Sequence, residues 1–203
     1  MSRLGRQRPR PFPDAGSGRD PRGQSLVEFA VILPLLLLLI LGAVEFGFVF
    51  NHHLTLEYAT REGARVGASL ADGSDSIACA DVDTAIVAAV DRVLTSSGSP
   101  VEVDEVSEIR IYRADAAGNP IGLLSNAWTY TPGAGPPVDG VPIDFSPGPV
   151  GWPACSRSNL QPVDSLGVSL TYTYRLRTPF ANLLGLGTLP MSDRTVMALN
   201  PDE

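Results

Sequence analysis

The sequence predicts an α+β protein: a long N-terminal transmembrane helix, then a small extracytoplasmic domain with one helix packed on a 3–4-stranded antiparallel sheet. Three observations predict it. An uncharged run from Phe29 to Val44 reads FAVILPLLLLLILGAV. Further on, one segment has a helical apolar period and several alternate with period two. Charge is also unevenly placed. Residues 1–22 hold six arginines (Arg3, Arg6, Arg8, Arg10, Arg19, Arg22) against Asp14 and Asp20, whereas the whole 203-residue chain carries −7.

These quantities exclude several classes. The length suits one domain, or a small domain with an appendage. A hydrophobic content of 44% excludes disorder throughout. The acidic body argues against nucleic-acid binding, and the basic head is too short and too rich in Pro and Gly to be a folded nucleic-acid module. Two cysteines are too few for a zinc site or a disulfide-dense scaffold.

The first element is the span. Leu26 to Phe50 is 25 residues, interrupted by charge only at Glu28 and Glu45. A bilayer core needs about 20 mostly apolar helical residues. Leu35–Leu41 is apolar all round, so it has no amphipathic period of the kind a soluble core helix shows. The arginines precede the span, which places residues 1–22 in the cytoplasm and the chain beyond Phe50 outside it, a single pass of the cytoplasmic membrane with lipid around the helix. The expected divisions are 1–23, a basic leader; 24–50, the span; 51–71, a helical continuation; and 72–203, the extracytoplasmic domain.

Such an N-terminus is a cleaved secretory signal, a permanent anchor or a prepilin-type signal. A secretory signal wants small residues after the apolar core, and here EFGFVFNHH is bulky. A prepilin-type signal is cut before the run. The residues there are Arg22-Gly23-Gln24-Ser25-Leu26-Val27-Glu28-Phe29, with a glycine before the cut and a glutamate five residues after it.

GQSLVEFAVILPLLLLLILGAVEFG, followed by LEYATREGARVGA, resembles the TadE-like pilus assembly proteins, minor pseudopilins of tight-adherence (Flp-type) pili. The resemblance is strong from Gly23 to about Ser69 and only general beyond. It implies cutting between Gly23 and Gln24 by a membrane-embedded prepilin peptidase, with the apolar helix retained. Other pilin-like subunits and the pilus assembly platform proteins are the implied partners. The residues are consistent with it. Gly23 suits a tight, extended approach to a protease. Glu28 lies where an unpaired charge is costly, one turn from the amine that cleavage would create on Gln24. That carboxylate either pairs with its own amine, pairs with a neighbouring subunit's, or is a plain interfacial charge.

Pro34 removes a backbone hydrogen bond inside the helix and crowds the carbonyl of Ala30, so a kink or loosened turn is expected. Past the membrane the helix continues to about Leu70, because Leu56, Ala59, Gly63, Val66 and Leu70 recur with a period of 3.5. Gln24 to Leu70 would then run roughly 70 Å. Ala59, Gly63 and Gly67 form a row of small residues, and Ala43 and Gly47 another. Small rows let backbones approach closely. Either the chain's own sheet or a second helix satisfies them; the first suits Gly63 and Gly67, the second Ala43 and Gly47.

Asp72–Asp75 reads as a loop. Val82, Ala85, Ile86, Ala89, Val90, Val93 and Leu94 make one apolar face of a second helix, with Asp81 and Asp83 in its acid-favouring first turn. Strands are expected over Val106–Tyr112, Ala127–Thr131, Leu166–Leu176 and Arg194–Leu199, with a turn over Asp115–Gly122. Residues 131–153 hold seven prolines and five glycines, which predicts a long surface loop, either a partner contact or a variable insertion. Phe180–Leu186 reads as a short apolar turn or loop. Outside the cytoplasm Cys79 and Cys155 are able to pair, worth about 4.5 kcal/mol on the chain-entropy model; two free thiols are the alternative.

No catalytic residue, cofactor or metal is expected. The only histidines, His52 and His53, are adjacent and point in different directions, which reads as interfacial polarity. The carboxylates of the second helix read as a solvated face. No nucleophile motif or phosphate loop is present. Two functions remain beside a poorly supported anchored enzyme. One is a pseudopilin that assembles or anchors a pilus or a related secretion apparatus. The other is a single-pass envelope protein whose outer domain binds a ligand or adhesion target.

Overall fold

The computed structural model describes residues 21–71, 77–179, 185 and 187–200. The loop expected over Asp72–Asp75, the turn expected over Phe180–Leu186 (Gly185 apart) and the leader up to residue 20 lie outside the described residues. The chain divides into two units between Ile40 and Leu41.

Helix α1 spans Pro21–Leu70 without interruption, carrying Pro34 inside it. Proline is favoured at a first helical position, where its missing N–H has no intrahelical acceptor. In the first unit Leu26, Val27, Val31, Ile32, Leu35–Leu39 and Ile40 are exposed, as they are on a helix with no protein around it. The helix stops at Leu70. Ala71 takes a positive φ of 49°, and its N–H closes on the Gly67 carbonyl at 3.0 Å.

The second unit is an α+β domain. Helix α2, Val82–Leu94, buries Val82, Ile86, Val87, Ala88, Ala89, Val90 and Leu94. Val87 and Ala88 fall outside the expected face, and the segment Pro137–Val138 also packs on α2. The strands are β1 (Val106–Ala114), β2 (Pro120–Tyr130), β3 (Pro137–Val138), β4 (Val141–Pro142), β5 (Phe145–Val150), β6 (Ser165–Arg175) and β7 (Thr188–Ala198). All pairs are antiparallel, and the main sheet runs β5-β2-β1-β6-β7.

The sheet therefore has five strands rather than three or four. The fifth comes from the segment read as a loop. β5 lies in the Pro/Gly-rich stretch, and its Pro147 and Pro149 are tolerated because it is an edge strand, where a missing donor breaks no inner ladder. β2 and β7 also begin earlier than expected. Pro120 opens β2, and Pro190 lies in β7, the opposite edge.

β1 and β6 form the centre. Ile109 pairs with Leu170 and Ile111 with Val168, and all four are fully buried. Tyr112 lies opposite Gly167, and a Cβ at Gly167 would fall 2.2 Å from the Tyr112 ring. Only glycine leaves room for that ring there.

Candidate functional site along the first helix

At the N-terminal end, Gly23 and Gln24 sit exposed in the first turn of α1. Gly23 is thus helical, not extended. The turn is weak, however: its leading N–H groups have no intrahelical acceptors, and glycine costs about 1 kcal/mol of helix propensity. A Cβ at Gly23 would meet nothing within 4 Å. One turn on, the Gln24 side-chain amide Nε2 donates to Glu28 Oε1 at 3.0 Å.

The small residues divide into two sets. A Cβ on Gly63 would stand 2.6 Å from Val90 Cγ2 and 3.4 Å from Val168 Cγ1. One on Gly67 would stand 2.9 Å from Ile86 Cδ1 and from Leu166 Cδ2. Ala59 is fully buried. These positions let α1 settle against α2 and β6 of its own domain. Ala43 and Gly47 are exposed, and a Cβ on Gly47 would meet nothing within 4 Å. Around the first set, Arg61 pairs with Glu57 and Arg65 with Glu62 on the outer face. Thr60 is buried, and its hydroxyl bonds the Asp193 carboxylate and lies 3.0 Å from Thr195 Oγ1 on β7.

Sequence reasoning passed over two residues. Glu45 was only an interruption of the apolar run, yet it is 6% exposed. It accepts hydrogen bonds from Tyr174 Oη at 2.6 Å, Arg177 N at 3.1 Å and Thr178 N at 2.7 Å. Burial, and then the bond to that carboxylate, push the Tyr174 phenol well above its ordinary range. His52 is likewise no interfacial residue. It is 1% exposed, with Nδ1 2.7 Å from the Phe48 carbonyl oxygen and its ring edge-on to Tyr174 at 4.8 Å. His53 is half-buried. A signal was present: continued backwards from Leu56 at spacings of four and three, the inward stripe runs through His52, Val49 and Glu45.

A second junction ties the Pro/Gly-rich segment to α2. Cys79 and Cys155 are joined by a disulfide, with Cα atoms 5.0 Å apart. Beside it, the buried Arg157 guanidinium pairs with Asp83 of α2 and lies 4.6 Å over the Trp152 ring. Asn126 donates to Asp83 at 2.6 Å and to the Trp152 carbonyl at 2.7 Å, and accepts from Trp152 N at 2.8 Å. Asp83 is therefore engaged in a partly buried network, not a solvated face. Among the described residues no group of three or more His, Cys, Asp or Glu side chains is arranged to hold a metal ion.

The class of molecule follows from these features: among the described residues, one helix long and apolar enough to cross a membrane, none of its most apolar window buried, leading into a disulfide-bonded α+β domain. Residues 23–65 match the family model described as TadE-like protein, a stretch that runs from Gly23 through Ala59 and Gly63 and stops short of Gly67. Comparison with curated proteins and with solved structures returned no match.

Proposed function

We propose that the chain is a membrane-anchored TadE-like pseudopilin that acts in assembling or anchoring Flp-type pili or a related secretion apparatus. The carrying observation is the TadE-like match over residues 23–65, which coincides with the exposed apolar helix. On this reading residues 1–22 are cytoplasmic and the α+β domain is extracytoplasmic. A prepilin peptidase cuts between Gly23 and Gln24. The mature helix stays in lipid until it meets other pilin-like subunits and the assembly platform.

Two features support the assembly role over plain anchoring. Glu28 lies on an exposed turn at the start of the apolar run, where a carboxylate without a countercharge is costly; an amine–carboxylate pair between subunits would set their axial offset. Ala43 and Gly47 leave a shallow exposed strip on the helix, which a second helix could approach closely.

The test is Glu28→Ala in the producing strain. Membrane content and processing are expected to persist while pilus-dependent surface attachment is lost. Normal attachment would make the carboxylate a bystander, and loss of insertion would give it a topological role instead. The reading as an envelope protein with a binding domain is favoured by one observation: the match stops at residue 65, so the sheet domain lies outside it. Attachment that survives every change in α1 but fails on disruption of the sheet domain would support that reading.

A further inference from the structure

Between Glu28 and Glu45 the uncharged run is 16 residues. As helix it rises about 24 Å, short of the roughly 30 Å hydrocarbon core. Glu45 would normally end it, because a carboxylate facing lipid is expensive. Here the carboxylate does not face outward. Tyr174 Oη and the Arg177 and Thr178 N–H groups supply three donors, and only 6% of the residue is exposed.

What α1 does expose over this stretch is apolar. Val44 is 46% exposed, Phe46 69%, Phe48 40% and Phe50 51%. Phe46 and Phe50 lie one turn apart with ring centroids at 6.3 Å. The next exposed polar side chain is Asn51. With Glu45 withdrawn, the outward surface of α1 is uncharged from Phe29 to Phe50, about 33 Å of helix, which matches the hydrocarbon core.

We infer that the bilayer itself covers the exposed face of α1 as far as Phe50, and that the Tyr174–Arg177–Thr178 cage is the device that makes this possible, by taking the Glu45 charge off the lipid-facing surface. The occupant of the Phe46–Phe50 face, and of the opposite flank that carries Phe48, is acyl chain and headgroup boundary. This goes beyond the pilus role and needs only that α1 crosses a membrane.

Spin labels test it in the full chain, reconstituted in phosphatidylcholine–phosphatidylglycerol nanodiscs. The native cysteines are bonded to each other, so a single added cysteine is labelled under non-reducing conditions. Labels go on Leu36→Cys as a mid-span control, on Phe46→Cys and Phe50→Cys, on Phe48→Cys as a probe of the opposite flank, and on Tyr58→Cys beyond them. Collision rates with oxygen and with a neutral nickel chelate are compared. Oxygen is expected to dominate several-fold at 36, 46, 48 and 50, and the chelate at 58. Chelate dominance at 46, 48 and 50, with oxygen still dominant at 36, would overturn the inference and leave the membrane span intact. Low rates with both reagents at 46 and 50, relieved by diluting the protein in lipid, would overturn it in favour of a second helix on that face. Chelate dominance at 36 as well would remove the membrane reading itself.

Discussion

Gly63 and Gly67 look alike in sequence and differ in what surrounds them. Replacing glycine by alanine in a helix gains about 1 kcal/mol of propensity, whereas overpacking a core costs about 1–3 kcal/mol. At Gly63 the new methyl would meet Val90 Cγ2 at 2.6 Å, on a β-branched side chain with little freedom to move. At Gly67 it would meet the ends of Ile86 and Leu166 at 2.9 Å, which can yield. Thermal melts of the detergent-solubilised full chain are therefore expected to rank Gly63→Ala as clearly destabilising and Gly67→Ala as milder. Gly47→Ala, with nothing within 4 Å, should melt no lower than the parent chain. An equal drop for all three would mean that close packing does not explain the glycines. Tyr174→Phe removes one of three donors to a buried carboxylate, and hydrogen bonds to charged groups are worth about 1.5–3 kcal/mol. A melting temperature unchanged by that substitution would count against the Glu45 cage.

The helices were legible as elements because period and composition agree over many residues. α2 starts and ends where its apolar face predicts, and α1 ends at Leu70. The edge strands were not legible. β5 is built from Phe145-Ser146-Pro147-Gly148-Pro149-Val150, a run with neither alternation nor strand propensity, which pairs with β2 because an edge tolerates proline. The first half of β2 leaves Ile121 and Leu123 exposed, so burial could not mark it either. One element junction makes a pH prediction. Asp91 of α2 faces the segment after β4, where Asp144 N donates to its Oδ2 at 3.4 Å and its Oδ1 has no partner. Burial raises its pKa, the Asp144 amide opposes this, and the Asp144 charge adds to it. A carboxyl with a raised folded-state pKa binds its proton more tightly when native, so its contribution falls as pH rises from the ordinary value, about 3.9, through the raised one. Asp91→Asn should thus exceed the parent chain in stability at neutral pH, with the gap closing towards pH of about 4. Chemical denaturation across that range checks it, and a pH-independent gap would refute the assignment to Asp91.

For the whole molecule, the site was partly legible. Gly23, Gln24, Glu28 and the small residues stood out as motif; Glu45 and His52 did not, because their meaning depends on Tyr172, Tyr174 and Thr178, more than a hundred residues away. The disulfide joins positions 76 residues apart and closes the base of the Pro/Gly-rich segment onto α2. Replacing both cysteines by serine should lower stability by about 2–4 kcal/mol and make residues 131–153 the first point of proteolysis. Limited digestion with and without reductant reads this directly, and an unchanged cleavage pattern would show that the Arg157–Asp83 network holds the segment alone. The central claim is that the TadE-like helix is a processed pilin-type helix, not a fixed anchor or an export signal. The most direct measurement is the N-terminal residue and intact mass of the mature protein purified from membranes. The account predicts a chain beginning at Gln24 with the whole apolar helix retained. A mature chain that still carries Arg3–Arg22, or one that begins beyond Phe50, would contradict it.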